Sequence, residues 1–141
     1  MRRGYTLIEL MVVLLLLSLA AAVAGPAVGR GLASLRLRAE VAGIVSFLRA
    51  ARERAITQGV TTEIAVASEG QALVREPGHA VKRLAEGLRL LADPPDAHRV
   101  RFLPEGISTG GRFQLEVPDA RGYVVTVEAL TGRVAMRRSG Q

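Results

Sequence analysis

Gly4-Tyr5-Thr6-Leu7-Ile8-Glu9-Leu10-Met11-Val12-Val13-Leu14-Leu15-Leu16-Leu17 opens the longest apolar passage of the chain, and the fold follows from how it is read. From Leu10 to Gly29 no residue carries a charge. At about 1.5 Å per residue, a helix of that length covers roughly the 30 Å core of a bilayer. The short basic head, Met1-Arg2-Arg3-Gly4, predicts a cytoplasmic amino terminus, with everything beyond residue 29 on the far side. Two ordinary readings compete: an inert anchor, and a cleaved signal peptide using Ala20-Ala21-Ala22 or Ala22-Val23-Ala24 as its small-x-small site. Glu9 argues against both. An ionisable side chain costs about 2.5–3.5 kcal/mol at the centre of a membrane helix, less nearer the interface, and such a group usually has a partner.

Composition bounds the rest. The chain has 141 residues, 49% of them apolar, with 19 basic and 13 acidic residues giving +6. One small domain plus an appendage fits that length, and the apolar fraction excludes a disordered chain. Cysteine is absent, which removes disulfides, thiolate metal sites and thiol nucleophiles together. Only His79 and His98 could offer imidazole, and no metal-ligand partner lies at a suitable spacing.

The segment Gly4-Tyr5-Thr6-Leu7-Ile8-Glu9-Leu10 resembles the processing site of type IV pilins and of the pseudopilins of type II secretion, where a glycine precedes an aromatic residue, Thr-Leu-hydrophobic-Glu and a long apolar helix. The resemblance implies cutting between Gly4 and Tyr5 by an inner-membrane prepilin peptidase and N-methylation of Tyr5. Tyr5 stands where the family usually has Phe. Glu9 becomes the fifth residue of the mature chain, its carboxylate meeting the freed amino terminus of an adjacent subunit and setting axial register, because each charge is costly alone in a low-dielectric medium. Pro26 falls where pilins often carry a proline, counting from Tyr5. It removes one helical hydrogen bond and kinks or loosens the helix, or it marks the end of the span.

From Arg30 to Gln58 the composition turns to Arg, Ala and Leu. Leu37, Val41, Ile44, Val45, Leu48, Ala51, Ala55 and Ile56 follow helical periodicity, with Arg38, Arg49, Arg52, Glu53 and Arg54 expected on the other face and a stop at Gly59. Without a break at Pro26, one helix of about 80 Å would run to Gln58. Residues 60–141 read mainly as β: Val60–Val66, Ala72–Arg75, Val100–Leu103, Phe113–Val117, Tyr123–Glu128 and Arg133–Met136, with turns at Ser68-Glu69-Gly70, Pro77-Gly78, Asp119-Ala120-Arg121-Gly122 and Thr131-Gly132. Between Val81 and Leu91 helical spacing competes with two short strands, and the family resemblance favours the strands. The expected class is α+β and pilin-like: a long N-terminal transmembrane and stalk helix packed on a C-terminal antiparallel β-sheet domain. The divisions are leader 1–4, membrane helix 5–29, stalk 30–58 and periplasmic domain 59–141.

Three further patches resemble the GspH/FimT group of minor pseudopilins and minor pilins: Ala51-Arg52-Glu53-Arg54-Ala55-Ile56, Phe102-x-Pro104-x-Gly106-x-Ser108-x-Gly110-Gly111 and Leu130-Thr131-Gly132-Arg133-Val134. No catalytic constellation accompanies them. Ser108 lacks a G-x-S-x-G context, and Gly106 to Gly111 lacks the spacing of a phosphate loop. The chain is therefore expected to be no enzyme and to need no cofactor or metal. The resemblance implies an inner-membrane, single-pass minor pseudopilin of a type II secretion system, partnered by other minor and major pseudopilins and by the prepilin peptidase. The alternative is a FimT-like minor pilin of a type IV pilus that binds DNA for uptake. Past residue 29 the charge is +5 (17 basic minus 12 acidic). Arg133, Arg137 and Arg138 form a candidate surface for an anionic partner, which Arg112 or Arg121 could join. The DNA-binding members carry Gly-Arg-x-Arg, whereas Gly132-Arg133-Val134-Ala135 has alanine in place of the second arginine, so nucleic acid is disfavoured.

Overall fold

A computed structural model describes residues 6–118 and 122–140, with the side chains of residues 23–33 outside that set. The elements follow as α1 (Leu7–Gln58), β1 (Thr62–Ala67), a 3-10 turn at Ser68–Gly70, β2 (Ala72–Glu76), β3 (Ala80–Arg83), β4 (Arg89–Ala92), β5 (Arg99–Phe102), β6 (Gly111–Glu116), β7 (Tyr123–Val127) and β8 (Val134–Arg138). The chain divides into two units, Met1–Ala39 and Glu40–Gln141, and α1 contributes to both.

In the first unit every described side chain of α1 up to Ala22 is exposed, Leu10, Leu14 and Leu16 among them. Leu and Ala, which dominate this stretch, are strong helix formers. An apolar surface of this kind calls for a cover. Among the described residues no helix is long and apolar enough to cross a membrane. The span expected over 5–29 extends into residues outside the described set. α1 is continuous across Pro26 and does not end there.

The second unit holds the core. Val41, Ile44, Leu48, Ala51 and Ala55 are fully buried, and Val45 nearly so, which is one stripe of a 3.6-residue period. Ile56, expected on that stripe, is 44% exposed, because it lies one position past Ala55 and the period turns it outward. Gly59, at φ +64°, ends the helix in the left-handed conformation that its missing Cβ permits.

The strands form two four-stranded antiparallel sheets, ordered β3-β2-β1-β5 and β4-β6-β7-β8, where one sheet was expected. Glycine makes the division possible. At Gly87, φ +84°, the chain leaves the first sheet after β3 and enters the second as β4. After β5 it folds through Leu103–Gly106, bridges Phe102 to Ser108, and turns at Gly110, φ +73°, into β6. Gly111 is pressed against Val100, so a side chain there would collide where the chain changes sheet. The helical alternative for 81–91 is thereby excluded. The turn expected at Asp119–Gly122 falls mainly on residues outside the described set.

Alternation along β5, β6 and β7 buries Val100, Phe102, Phe113, Leu115, Tyr123, Val125 and Val127. Across β1 and β5, Glu63 takes Arg99 and Arg101 at 2.9 Å each, which favours that register. Leu48→Ala, at a fully buried position, should lower unfolding free energy by about 2–5 kcal/mol. Ile56→Ala should cost under about 1 kcal/mol. Urea unfolding of both full-length variants in detergent measures the contrast.

Candidate functional site

Two places carry the residues singled out from the sequence. The first is the helix head. Thr6 is the N-cap: its Oγ1 accepts the Glu9 amide at 3.3 Å and its carbonyl accepts the Leu10 amide at 3.2 Å. Thr6-x-x-Glu9 therefore has the order of a capping box, a signal visible in the sequence and missed there. Capping and the helix dipole hold Glu9 in an ordered first turn, where a negative charge is favoured by about 0.3–1 kcal/mol. The Glu9 side chain is exposed, and among the described residues no cation lies within ion-pairing distance. Gly4 and Tyr5 lie outside the described residues, as do the side chain of Pro26 and the whole of Arg121.

The second place is the end of the domain where α1 stops. Arg52 and Arg49 were expected on the solvent face of the stalk. Instead Arg52 Nε donates to the Gly106 carbonyl at 3.0 Å, and Arg49 Nη2 makes a longer bond, 3.4 Å, to the Val134 carbonyl. A Cβ on Gly106 would stand 3.2 Å from Arg52 Nη2 and 3.3 Å from Ile56 Cδ1. Gly132, at φ +61°, sits directly on the Gly106 carbonyl and 2.8 Å from Arg52 Nε by the same measure. The three sequence patches at 51–56, 102–111 and 130–134 thus meet around one guanidinium. Ser108 is buried there: its hydroxyl donates to the Glu128 carbonyl and accepts the Gly110 amide, both at 3.0 Å, so it pins a turn. Thr131 Oγ1 is 2.6 Å from Glu128 Oε2 and caps the Arg133 amide at 3.2 Å.

From this anchored hairpin β8 runs out along β7. Arg133 and Arg137 share the outer face with Arg112, bordering an open groove of ≈ 770 Å³ that also includes Glu128. Arg138 alternates to the other face, where its guanidinium lies 5.8 Å from the Tyr123 ring centre, while it still borders the end of that groove. Of the predicted arginines, Arg133 and Arg137 thus share a face with Arg112, and Arg138 meets them only at the end of the groove. His79 lies in the β2–β3 turn, His98 accepts the Val66 amide on its carbonyl, and among the described residues no group of metal-binding side chains forms.

Residues 1–25 match the prokaryotic N-terminal methylation motif, and residues 40–131 match the type II transport protein GspH family. Type II secretion system protein H of Xanthomonas campestris pv. campestris is 32% identical, the similarity covering 98% of this chain and 83% of that protein. Among solved structures, the type IV minor pilin FimU of Pseudomonas aeruginosa superposes with a TM-score of 0.62 at 16% identity, covering 74% of this chain and 90% of FimU. The minor pseudopilin EpsH from the type 2 secretion system of Vibrio cholerae gives 0.59, also at 16%, covering 75% of this chain and 99% of EpsH. Both have the same helix-on-sheets fold. Arg52→Ala should lower stability by about 1.5–3 kcal/mol, the range for a hydrogen bond to a charged group, and Gly132→Ala should also destabilise through clash and positive φ. Arg137→Ala should stay within about 0.5 kcal/mol. Thermal unfolding of the three variants separates these outcomes.

Proposed function

The chain belongs to the GspH family of type II transport proteins, and on that premise we propose that it works as a minor pseudopilin, co-assembling with other pseudopilins into the periplasmic filament that drives protein export. The observation that carries this reading is the match to a type II secretion system protein H across 98% of the chain. The N-terminal methylation motif supports anchoring in the inner membrane and processing by the prepilin peptidase. The amino terminus is then cytoplasmic, and the sheet domain lies in the periplasm, near the filament tip.

Function in this reading is positional rather than catalytic. Cleavage after Gly4 leaves Tyr5 as a methylated amino terminus two residues from the start of α1. Glu9, held in the capped first turn, supplies the carboxylate that a neighbouring subunit's terminal ammonium meets. Pairing two charges beside lipid rewards the register in which they touch and penalises every other. The exposed apolar side chains of the first unit find their cover in lipid and in the helices of other subunits.

Glu9→Ala should leave processing and domain stability intact while lowering incorporation into the assembly at least fivefold, read by co-purification from membranes. Normal incorporation would remove the register role. Gly4→Ala should block maturation, seen as an unchanged intact mass when the peptidase is coexpressed. Binding of the full chain to duplex DNA across a salt series addresses the pilus alternative: sub-micromolar affinity with a steep salt slope, lost in Arg133→Ala, would favour it over secretion.

A further inference from the structure

Each four-stranded sheet has two outer strands, and of the four β5 and β4 are shielded. β5 is met by its following turn, where Thr109 donates its amide to the Arg101 carbonyl at 3.0 Å and takes the Arg101 amide on its hydroxyl at 3.1 Å. β4 lies against the 3-10 turn, and a Cβ on Gly70 would stand 2.7 Å from the Leu90 carbonyl oxygen. β3 is a four-residue strand, one residue shorter than β8, and its Lys82 reaches back to Glu40 on α1 at 3.4 Å.

β8 is open. Its register with β7 runs from Val127↔Val134 to Tyr123↔Arg138. The bonds flanking it, Glu128 N–H to the Arg133 carbonyl and Ser139 N–H to the Gly122 carbonyl, both 2.9 Å, fix the phase of the ladder. Antiparallel pairing alternates. Arg133, Ala135, Arg137 and Ser139 therefore bond to β7, while Val134, Met136 and Arg138 aim their amides and carbonyls away from the sheet. Arg49 reaches the Val134 carbonyl. Among the described residues, nothing bonds the Met136 amide or carbonyl, or the Arg138 amide.

Space adjoins this row. Two hollows of ≈ 610 and ≈ 530 Å³ lie beside β8, both bordered by Arg49 and Glu53. Ala42, Ser46 and Ala50, at four-residue spacing on α1, line the second together with Met136. Guanidiniums outnumber carboxylates on both faces of the edge, Arg133 and Arg137 against Glu128 on the outer one and Arg49 and Arg138 against Glu53 on the inner.

We infer that β8 receives a fifth strand for its sheet, an extended acidic segment of a different polypeptide chain. Main-chain bonds to Met136 and Arg138 supply the adhesion, and acidic side chains projecting alternately to the two faces meet the arginines. A second copy of this chain fits poorly, since two β8 edges paired about Met136 would concentrate Arg49, Arg133, Arg137 and Arg138 from both copies. Duplex DNA would lie on the outer face along Arg112, Arg133 and Arg137, leaving the outward amides untouched. The source of the strand, another subunit of the same assembly, rests on the co-assembly reading above.

The test is residue-resolved amide exchange on the full chain in membranes, alone and coexpressed with the other pseudopilins of its system. The Met136 and Arg138 amides should exchange at least tenfold more slowly in the co-assembled state. Met136→Pro removes an amide that β7 does not use, a place where an edge strand tolerates proline. It should lower co-purification at least tenfold with little change in melting temperature, whereas Met136→Ala, which keeps the amide, should retain it. Co-purification with both amides exchanging at their free rates overturns the strand and leaves co-assembly standing. Failure of the unsubstituted chain to co-purify overturns both. Protection on concentrating the chain alone overturns it in favour of self-association. If duplex DNA binds without slowing either amide while the pseudopilins do not slow them, the surface is an electrostatic one and the strand is again overturned.

Discussion

The Arg52 guanidinium on the Gly106 carbonyl is the tie on which the distal end of the domain depends. It joins a helix residue to a turn 54 positions later, and the same guanidinium borders Gly132, which opens the last hairpin. A charged donor in a half-buried setting makes a stronger bond than a neutral one, and leaving its acceptor unpaired there is costly. The close approach works because both contacting loop residues are glycines at positive φ, so main chain rather than side chain meets the arginine. β8 starts two residues beyond Gly132, and its phase follows from that anchorage.

Much of the fold was legible in local pattern. Helical periodicity marked Val41 through Ala55, and alternation marked β1 and β6. Turn residues marked most strand ends. What escaped was non-local. Two sheets instead of one could be foreseen only by knowing that Gly87 and Gly110 send the chain across, and composition reads each simply as a turn. Ile56 illustrates how one residue of helical phase, about 100°, separates burial from exposure. Arg49 and Arg52 looked like solvated charges because their acceptors are backbone carbonyls 85 and 54 residues away, which no sequence pattern announces.

The candidate sites were legible to different degrees. Thr6-x-x-Glu9 carries its capping order in the sequence itself, on the same residue whose carboxylate marks the assembly motif. Arg133, Arg137 and Arg138 stand close together in the sequence, and strand alternation divides them, Arg133 and Arg137 on one face and Arg138 on the other against Tyr123. The free edge itself had no signature, since an unpaired strand differs from a paired one only in what stands beside it.

The Arg52 tie terminates on a peptide oxygen, a group that every amino acid carries. Its integrity is therefore indifferent to the side chains displayed nearby, and Ile107 and Leu130, 40% and 84% exposed, sit on the very loops it anchors. The outward side chains of those loops stand apart from the main-chain contact that sets their shape. The scaffold and its specificity are separable, and lineages sharing this architecture can acquire different neighbours by exchanging a few outward groups.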